Sequence, residues 1–227
     1  MKIKFFTIFT ILCTVITEVC ASPIDFFSFK KPAFSEQDEF TTYCDTTEHW
    51  CNYAAQRLYD EGIFQGIKIG RNYYFMPDQH ITRGEFLLYL NAVLEIPLKD
   101  VSSLPFRDAS SIPKWQYSTV YTMYTTGYIN GNMEKSGLFF NHDEKISRLE
   151  CAIILNNILS LNNSFKNVEY YDSYLIPKYA ITAVKNVTDY GLMKGYEDKS
   201  FRPYVKITRA MLADILCHAK DFFVTKK

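Results

Sequence analysis

One pattern of residues occurs three times along this chain of 227 residues. Each copy has an aromatic residue two positions before an aspartate, then a second aromatic, two glycines four residues apart, a phenylalanine, and an isoleucine that leads into Thr/Ser-Arg. The landmarks are Tyr43, Asp45, Trp50, Gly62, Gly66, Phe75, Ile81 and Arg83 in the first copy, Phe106, Asp108, Trp115, Gly127, Gly131, Phe140, Ile146 and Arg148 in the second, and Tyr170, Asp172, Tyr179, Gly191, Gly195, Phe201, Ile207 and Arg209 in the third. So many landmarks in register indicate a repeat architecture.

Each copy is predicted to fold as helix, loop and helix. In the first copy Trp50, Ala54 and Leu58 recur at helical spacing, and Gly62 follows where a left-handed cap would end the helix. A turn-rich loop leads to a second helix over residues 82–96, which carries an apolar face. The other copies repeat this pattern, so their second helices are predicted to pack on one another.

These landmarks resemble the S-layer homology (SLH) domain family, whose hallmark is Ile-Thr-Arg-Ala-Glu. The stretches that carry the resemblance are Gly62-Ile63-Phe64-Gln65-Gly66, Phe75-Met76-Pro77 and Ile81-Thr82-Arg83-Gly84-Glu85. The resemblance covers residues 43 to about 222. It implies a mainly α fold, in which three helix-loop-helix repeats form a pseudo-threefold prism around a central three-helix bundle. It also implies grooves between the repeats that bind a bacterial secondary cell-wall polysaccharide, often pyruvylated, and so attach the protein to the wall without a covalent bond.

The N-terminus has the pattern of a secretory signal peptide. A short basic start precedes an apolar run from Phe5 to about Ile16, and Ala21 stands where a signal peptidase requires a small residue. The run is shorter than the roughly 20 residues that span a bilayer. We therefore expect export to the cell wall or cell surface, with no transmembrane segment after signal removal. A lipid anchor on Cys20 is the alternative, although Glu18 would interrupt its apolar motif.

These features divide the chain into five segments. Their expected bounds are 1–21 for the signal peptide, 22–42 for an N-terminal extension, and 43–99, 100–164 and 165–227 for the three repeats.

Arg83, Arg148 and Arg209 are the main candidates for ligand binding. The neighbouring Thr82 and Glu85 are explained by a capping box at the start of the second helix. Arginine at the first helical position instead opposes the positive end of the helix dipole, at a cost of about 0.3–1 kcal/mol. The carboxylate of a pyruvyl ketal would compensate it, through bidentate hydrogen bonds from the guanidinium and further bonds from free amides at the helix start.

Other landmarks complete the candidate site, and each has a structural alternative. The second glycines permit positive φ and close approach of a ligand to the backbone, or form a plain turn. The second aromatics, including Tyr179, stack on sugar rings or belong to the core. Asp45 and Asp108 contribute to the binding site. Alternatively, the aspartates of all three copies form salt bridges with the arginine of a neighbouring repeat. The additional candidates for polysaccharide binding are Gly66, Gly131, Gly195, Trp50, Trp115, Asp45 and Asp108.

The third copy departs from the pattern. Met211 stands where the capping glutamate is expected, and Tyr179 replaces tryptophan. We expect the start of its second helix to be less firmly fixed and at least one of the grooves to be degenerate.

Charge and cysteine content narrow the range of functions. Basic and acidic residues balance at 25 each without basic blocks, which argues against nucleic acid binding. Cys44 and Cys51 are close enough in sequence for a disulfide, while four reduced thiols after signal removal are the alternative. The histidines share no repeated spacing with cysteines or carboxylates, so neither a metal nor a cofactor is expected. No nucleophile motif occurs, and an enzyme is not predicted.

A structural or adaptor role is the alternative function. In that case the grooves are vestigial and the chain acts through contacts with another surface protein. The phenylalanines of the extension 22–42 would suit such a contact.

Overall fold

We describe residues 42–162 and 169–226 from a computed structural model. Within these residues the chain is mainly helical, with six α-helices and two short hairpins. The helices are α1 Asn52–Asp60, α2 Arg83–Leu94, α3 Tyr117–Thr125, α4 Arg148–Ile158, α5 Ile181–Asp189 and α6 Arg209–Lys226. Each copy supplies two of them, so the mainly α class predicted from the sequence is confirmed.

The first helix of a copy is amphipathic. α1 buries Ala54 and Leu58 on one face and exposes Tyr53 on another. It ends as predicted, because Gly62 has a φ of 75° and lets the chain turn away after the last helical turn.

The second helix of a copy is buried on more than one face. In α2 all residues from Phe86 to Leu90 are buried, and so are Val93 and Leu94. A helix that is apolar on most sides belongs in the interior of a domain. The sequence predicted a single apolar face here, so α2 lies deeper than expected.

Hairpins connect the two helices in the first two copies. Their strands are β1 Ile67–Ile69 with β2 Asn72–Tyr74, and β3 Asn132–Glu134 with β4 Gly137–Phe139, paired antiparallel. The third copy has fewer residues in this region and forms a tight turn instead. There the N–H of Tyr196 donates to the carbonyl of Ser200 at 2.9 Å. The loop next to Gly195 is therefore the shortest of the three.

A closed ring of backbone hydrogen bonds joins the copies. The N–H of Ile81 donates to the carbonyl of Ile207 at 3.1 Å, that of Ile207 to Ile146 at 2.9 Å, and that of Ile146 to Ile81 at 3.2 Å. All three side chains are buried. Each bond joins a different pair of copies, so every copy contacts both others through the isoleucine before its hallmark arginine.

Helix packing follows the same cyclic order. The first helix of each copy packs on the second helix of the copy before it: α3 on α2, α5 on α4, and α1 on α6. α2 also packs on α6. Ion pairs fasten α1 to α6, since Arg57 donates to Asp221 at 2.9 Å and Lys220 donates to Glu61 at 2.9 Å. The first and third copies are thus linked although they are distant in sequence.

In the part of the chain that the structure describes, no helix combines the length and the apolar composition that a membrane span requires. The predicted signal peptide 1–21, the Cys20 anchor and all but the last residue of the extension 22–42 lie outside the described residues.

Candidate functional site

The second helix of every copy begins at its hallmark arginine. Thr82 and Ser147 accept the backbone N–H of Glu85 and Glu150 at 3.2 and 3.3 Å. The two glutamates in turn accept the N–H of the cap residues at 2.6 and 2.8 Å. Both predicted capping boxes are therefore confirmed.

The third helix start has half of this arrangement. Thr208 accepts the N–H of Met211 at 3.3 Å, but a methionine side chain cannot return the bond. Even so, α6 runs for 18 residues and is the longest of the described helices. The loss of the glutamate weakens one cap without shortening the helix.

The first amides of these helices are already hydrogen-bonded. In each copy the arginine and the residue after it donate to two carbonyls of the following copy, and the third copy donates to the first. The pairs, at 2.8–2.9 Å, are Arg83 to Glu144, Gly84 to His142, Arg148 to Val205, Leu149 to Pro203, Arg209 to Gln79 and Ala210 to Pro77. The expectation that free amides here bind a ligand is wrong, because these amides link the copies.

The guanidinium groups also reach into the following copy. Each lies over a buried phenylalanine: Arg83 over Phe140 at 5.5 Å, Arg148 over Phe201 at 4.8 Å, and Arg209 over Phe75 at 4.9 Å. Nε of Arg148 and Nε of Arg209 donate to the carbonyls of the same phenylalanines at 2.8 and 2.6 Å. A cation–π contact contributes about 0.5–2 kcal/mol, so each arginine stabilises the contact between two copies.

The aspartates brace a turn of their own copy. Both oxygens of each one accept two successive backbone N–H groups at 2.7–2.9 Å: Phe75 and Met76 for Asp45, Phe140 and Asn141 for Asp108, Phe201 and Arg202 for Asp172. The second residue of every pair has a left-handed φ, of 60°, 58° and 55°. Among the described residues none of the three arginines pairs with these aspartates, so that alternative is wrong. The repeated aromatic-x-Asp was the sequence signal for the turn.

Burial sets the electrostatics of two arginines. Arg83 and Arg148 are only 7% and 6% exposed, and this burial lowers the pKa of both guanidinium groups. Arg83 has a carboxylate partner, because its Nη1 donates to Oε1 of Glu150 at 3.2 Å. Arg148 donates instead to a second carbonyl, that of Lys194, at 2.7 Å. The two guanidinium groups thus share a position in the repeat but differ in charge compensation.

The glycines of the candidate site are required by packing. A Cβ at each would lie 2.3–2.7 Å from the ring that begins the same copy: Tyr43 for Gly66, Phe106 for Gly131 and Tyr170 for Gly195. Gly66 and Gly131 also have the predicted positive φ, of 62° and 73°. Gly195 does not, so that prediction is wrong for the third copy. The sequence showed the conformational freedom of these glycines but not the ring that excludes a side chain.

The second aromatics lie largely outside the core. Trp50 is 61% exposed and Tyr179 is 79% exposed, so the core alternative is wrong for both. Trp115 is half-buried. Trp50 precedes the first residue of α1, Asn52, and therefore does not follow the buried face of that helix. Their stacking on sugar rings stays a prediction.

One cleft collects an arginine, a glycine and a tryptophan of the predicted site from three different copies. It has a volume of about 150 Å³ and is lined by Arg148, Gly195 and Trp50, with Lys194 and Tyr196 beside them. α6 contributes Met211, Asp214 and Ile215 to the lining. A buried cation, an exposed indole and the edge of a glycine turn therefore face one space. Sequence analysis missed Lys194 and Tyr196, which the first two copies do not repeat.

The four described cysteines are free thiols, so the Cys44–Cys51 disulfide is wrong. Cys51 is buried and its Sγ lies 3.1 Å from Nδ1 of His49, while Cys44 is exposed. Burial raises the pKa of the Cys51 thiol to about 11, which disfavours the reactive thiolate. Within residues 42–162 and 169–226 no three His, Cys, Asp or Glu side chains are grouped as a metal ion would require.

Comparison with known proteins identifies relatives of parts of this chain. The chain is 32% identical to Cell surface glycoprotein 1 of Acetivibrio thermocellus over 105 residues, which are 45% of the chain and 4% of that protein. It is 28% identical to an Endoglucanase of Bacillus sp. over 166 residues, or 70% of the chain and 16% of that enzyme. The chain therefore spans a small part of both relatives. The sequence model of the S-layer homology domain matches residues 42–87 and 169–211, within the first and third copies. In these two regions the chain matches the S-layer homology domain family.

Proposed function

We propose that this chain attaches to a bacterial cell wall by holding a pyruvylated secondary polysaccharide between its copies. S-layer homology domains are cell-surface anchoring domains, and one relative is named as a cell surface glycoprotein. The observation that carries the proposal is the cleft at Arg148, in which residues of three copies meet.

The chemistry of this cleft suits an acidic sugar. Two of the N–H groups of Arg148 are used by carbonyls, which leaves other guanidinium donors for a carboxylate. Guanidinium and carboxylate form bidentate, charge-assisted hydrogen bonds, and a pyruvyl ketal carries such a carboxylate. The exposed ring of Trp50 offers an apolar face to a pyranose. The charge of Arg148 distinguishes an anionic glycan from a neutral one, while stacking on Trp50 favours a sugar ring of either kind.

We propose further that the middle copy is a third S-layer homology repeat, and that the three copies form a pseudo-threefold prism around a central three-helix bundle. The ring of hydrogen bonds through the three isoleucines supports this arrangement, and so does the cyclic packing of first helices on second helices. The middle copy also has its own capping box and aspartate-braced turn. For the three repeats we propose the bounds 43–99, 100–164 and 165–227.

We propose a non-catalytic role. The S-layer homology domain is an anchoring domain without catalytic activity, and the similarity to the endoglucanase covers 16% of that enzyme. Incubation of the purified chain with wall glycans should release no reducing ends. Any release that depends on the chain would contradict this role.

Sedimentation with purified walls tests the anchoring function. The chain should sediment with native wall sacculi, and binding should be lost when the pyruvyl groups are removed by mild acid. Sacculi stripped of all secondary polysaccharide give the second control. Equal sedimentation with stripped and native sacculi would refute polysaccharide binding.

Exposed aromatics of the third copy favour a second candidate function, docking to another surface protein. Tyr171, Tyr174 and Tyr179 are each more than 70% exposed. Aromatic residues are enriched in the buried centre of protein interfaces relative to the rest of the surface. Changing Tyr171 and Tyr174 to serine should leave sedimentation with pure sacculi unchanged and weaken retention on intact cells. Unchanged retention on intact cells would exclude this docking function.

A further inference from the structure

The three copies place equivalent residues around each hallmark arginine, and this allows a comparison of the three environments. We call them the Arg83, Arg148 and Arg209 clefts. The following copy contributes the residue two positions after its own arginine to each cleft, namely Glu150, Met211 and Glu85, respectively. It also contributes the residue six positions after that arginine, namely Ile154, Ile215 and Tyr89. The clefts therefore differ at two positions.

The Arg83 cleft is neutralised by the chain itself. Glu150 accepts a hydrogen bond from Nη1 of Arg83 at 3.2 Å while its other oxygen caps Ser147. Arg83 is 7% exposed, so its guanidinium is shielded from water, whereas the Glu150 side chain is 31% exposed. A carboxylate ligand would have to displace a carboxylate that is already bound.

The Arg209 cleft is occupied by a tyrosine. The hydroxyl of Tyr89 hydrogen-bonds the Arg209 guanidinium, and Tyr89 is buried. The guanidinium is further covered by the rings of Phe64 and Phe75, both at 4.9 Å. Isoleucine stands at the position of Tyr89 in the other copies, so this hydroxyl is specific to the Arg209 cleft.

The Arg148 cleft has neither feature. Met211 and Ile215 supply apolar atoms where the other clefts have a carboxylate or a hydroxyl. Among the described residues no carboxylate lies within ion-pair distance of Arg148, whose polar contacts are the carbonyls of Phe201 and Lys194.

The charged neighbours of this cleft do not replace the missing carboxylate. Arg202 lies over the same Tyr196 ring as Arg148, at 3.9 Å from its centroid, and adds positive charge. Asp198 pairs with Arg202 at 2.8 Å. Asp214 lies 3.6 Å from His218 on its own helix. The charge of Arg148 is thus buried without an anion.

We propose that Met211 makes the Arg148 cleft the one anion-binding site among these three clefts, and that the Arg83 and Arg209 clefts are occupied by the chain's own Glu150 and Tyr89. This inference rests on the proposed wall-binding function and specifies where the acidic group binds. It reverses the expectation from the sequence, in which Met211 marked a degenerate groove. The loss of a capping glutamate instead leaves a buried guanidinium for the ligand.

The test compares Met211→Glu with Met211→Gln. Either side chain can complete the capping box with Thr208, so both variants should raise Tm by about 2–4 °C. They differ only in charge. The probe is a methyl hexoside that carries a pyruvic acetal, titrated calorimetrically into the chain, with its neutral carboxamide as control. Wild type should bind one equivalent of the acid, and Met211→Glu should bind it roughly tenfold to a hundredfold more weakly than Met211→Gln does.

A reciprocal variant tests the self-neutralised cleft. Glu150→Gln keeps a capping side chain but removes the charge beside Arg83, and it should raise the stoichiometry from one to two. Equal affinity of Met211→Glu and Met211→Gln, or three equivalents bound by wild type, would overturn the inference while leaving wall binding intact. Binding of wild type to neither the probe nor native sacculi would overturn the proposed function together with the inference.

Discussion

Replacing Gly66, Gly127 and Gly195 by alanine separates two physical reasons for glycine in this fold. Gly127 has a φ of 76° and no atom within 4 Å of a new Cβ, so only backbone strain opposes the change. Gly195 has no left-handed φ, but its Cβ would lie 2.4 Å from Cε1 of Tyr170. Gly66 combines a φ of 62° with a contact of 2.3 Å to Tyr43. The three sites test strain alone, contact alone, and both together.

The expected losses follow from these geometries. A left-handed backbone costs an alanine about 1–2 kcal/mol, and an added methyl in a packed interior costs about 1–3 kcal/mol. The Tyr170 ring is held by its hydroxyl, which lies 2.8 Å from Oγ1 of Thr188. We therefore expect a loss of about 1–2 kcal/mol for Gly127→Ala, about 1–3 for Gly195→Ala and about 2–5 for Gly66→Ala.

Urea unfolding followed by far-ultraviolet circular dichroism measures these differences, provided that the dependence on denaturant is the same in all variants. The order of the losses matters more than their absolute size. A loss below about 0.5 kcal/mol for Gly195→Ala would show that the ring moves aside at little cost. That result, or a Gly66 variant no less stable than the Gly127 variant, would refute the argument that these glycines are required by the aromatic ring.

Three further predictions concern the turn, the α1–α6 link and the thiols. Asp108→Ala removes the acceptor of two backbone N–H groups and should lower the free energy of unfolding by about 2–4 kcal/mol in urea titrations. A loss as small as that of an ordinary surface substitution would contradict the role of Asp108 in bracing the turn. The hydrogen bond from Arg57 lowers the pKa of Asp221, so this pair stabilises the fold above the unfolded pKa of about 3.9 and stops doing so as pH falls through the folded pKa. Asp221→Asn should therefore be less stable than wild type by at most about 1 kcal/mol at pH 7, because the carboxylate is largely exposed. This difference in stability should disappear in acid. A difference that persists in acid would mean that packing, not charge, is responsible. Alkylation under native conditions, read by mass spectrometry, should modify Cys44 fastest, since the other described cysteines are buried; equal rates would mean that the core opens readily.

Local features of this fold could be predicted from the sequence, because their partners lie within a few residues. The capping box joins Thr82 and Glu85 across one helical turn, and both halves form as predicted. The left-handed cap at Gly62 is equally local. By contrast, the N–H of Arg83 donates to Glu144 in the next copy, and no spacing in the sequence identifies that acceptor. The prediction of free amides failed for this reason.

Helical spacing misled the interpretation of Trp50. It lies four residues before Ala54 and eight before Leu58, which suggested one buried face. α1 begins only at Asn52, so Trp50 belongs to the preceding turn and its ring lies exposed at the Arg148 cleft. A periodic pattern places side chains on a common face only within the helix itself. The error therefore concerned the start of the helix, and correcting it moves the tryptophan from the core to the candidate site.

The links between the copies explain how one cleft can differ from the others without loss of the fold. The isoleucine ring and the bonds from the helix-start amides use backbone groups, which do not depend on the side chain two positions after each arginine. The third copy has Met211 at that position, where the other two copies have glutamate. The methionine costs half of a capping box, about 1 kcal/mol of stability, and breaks none of the backbone links. The methionine also leaves the Arg148 cleft without the carboxylate that, as Glu150, neutralises Arg83 in the equivalent cleft. Because the cyclic framework is carried by the backbone, the charge of each cleft can change independently, and a repeat that departs from the family pattern can be the one that binds.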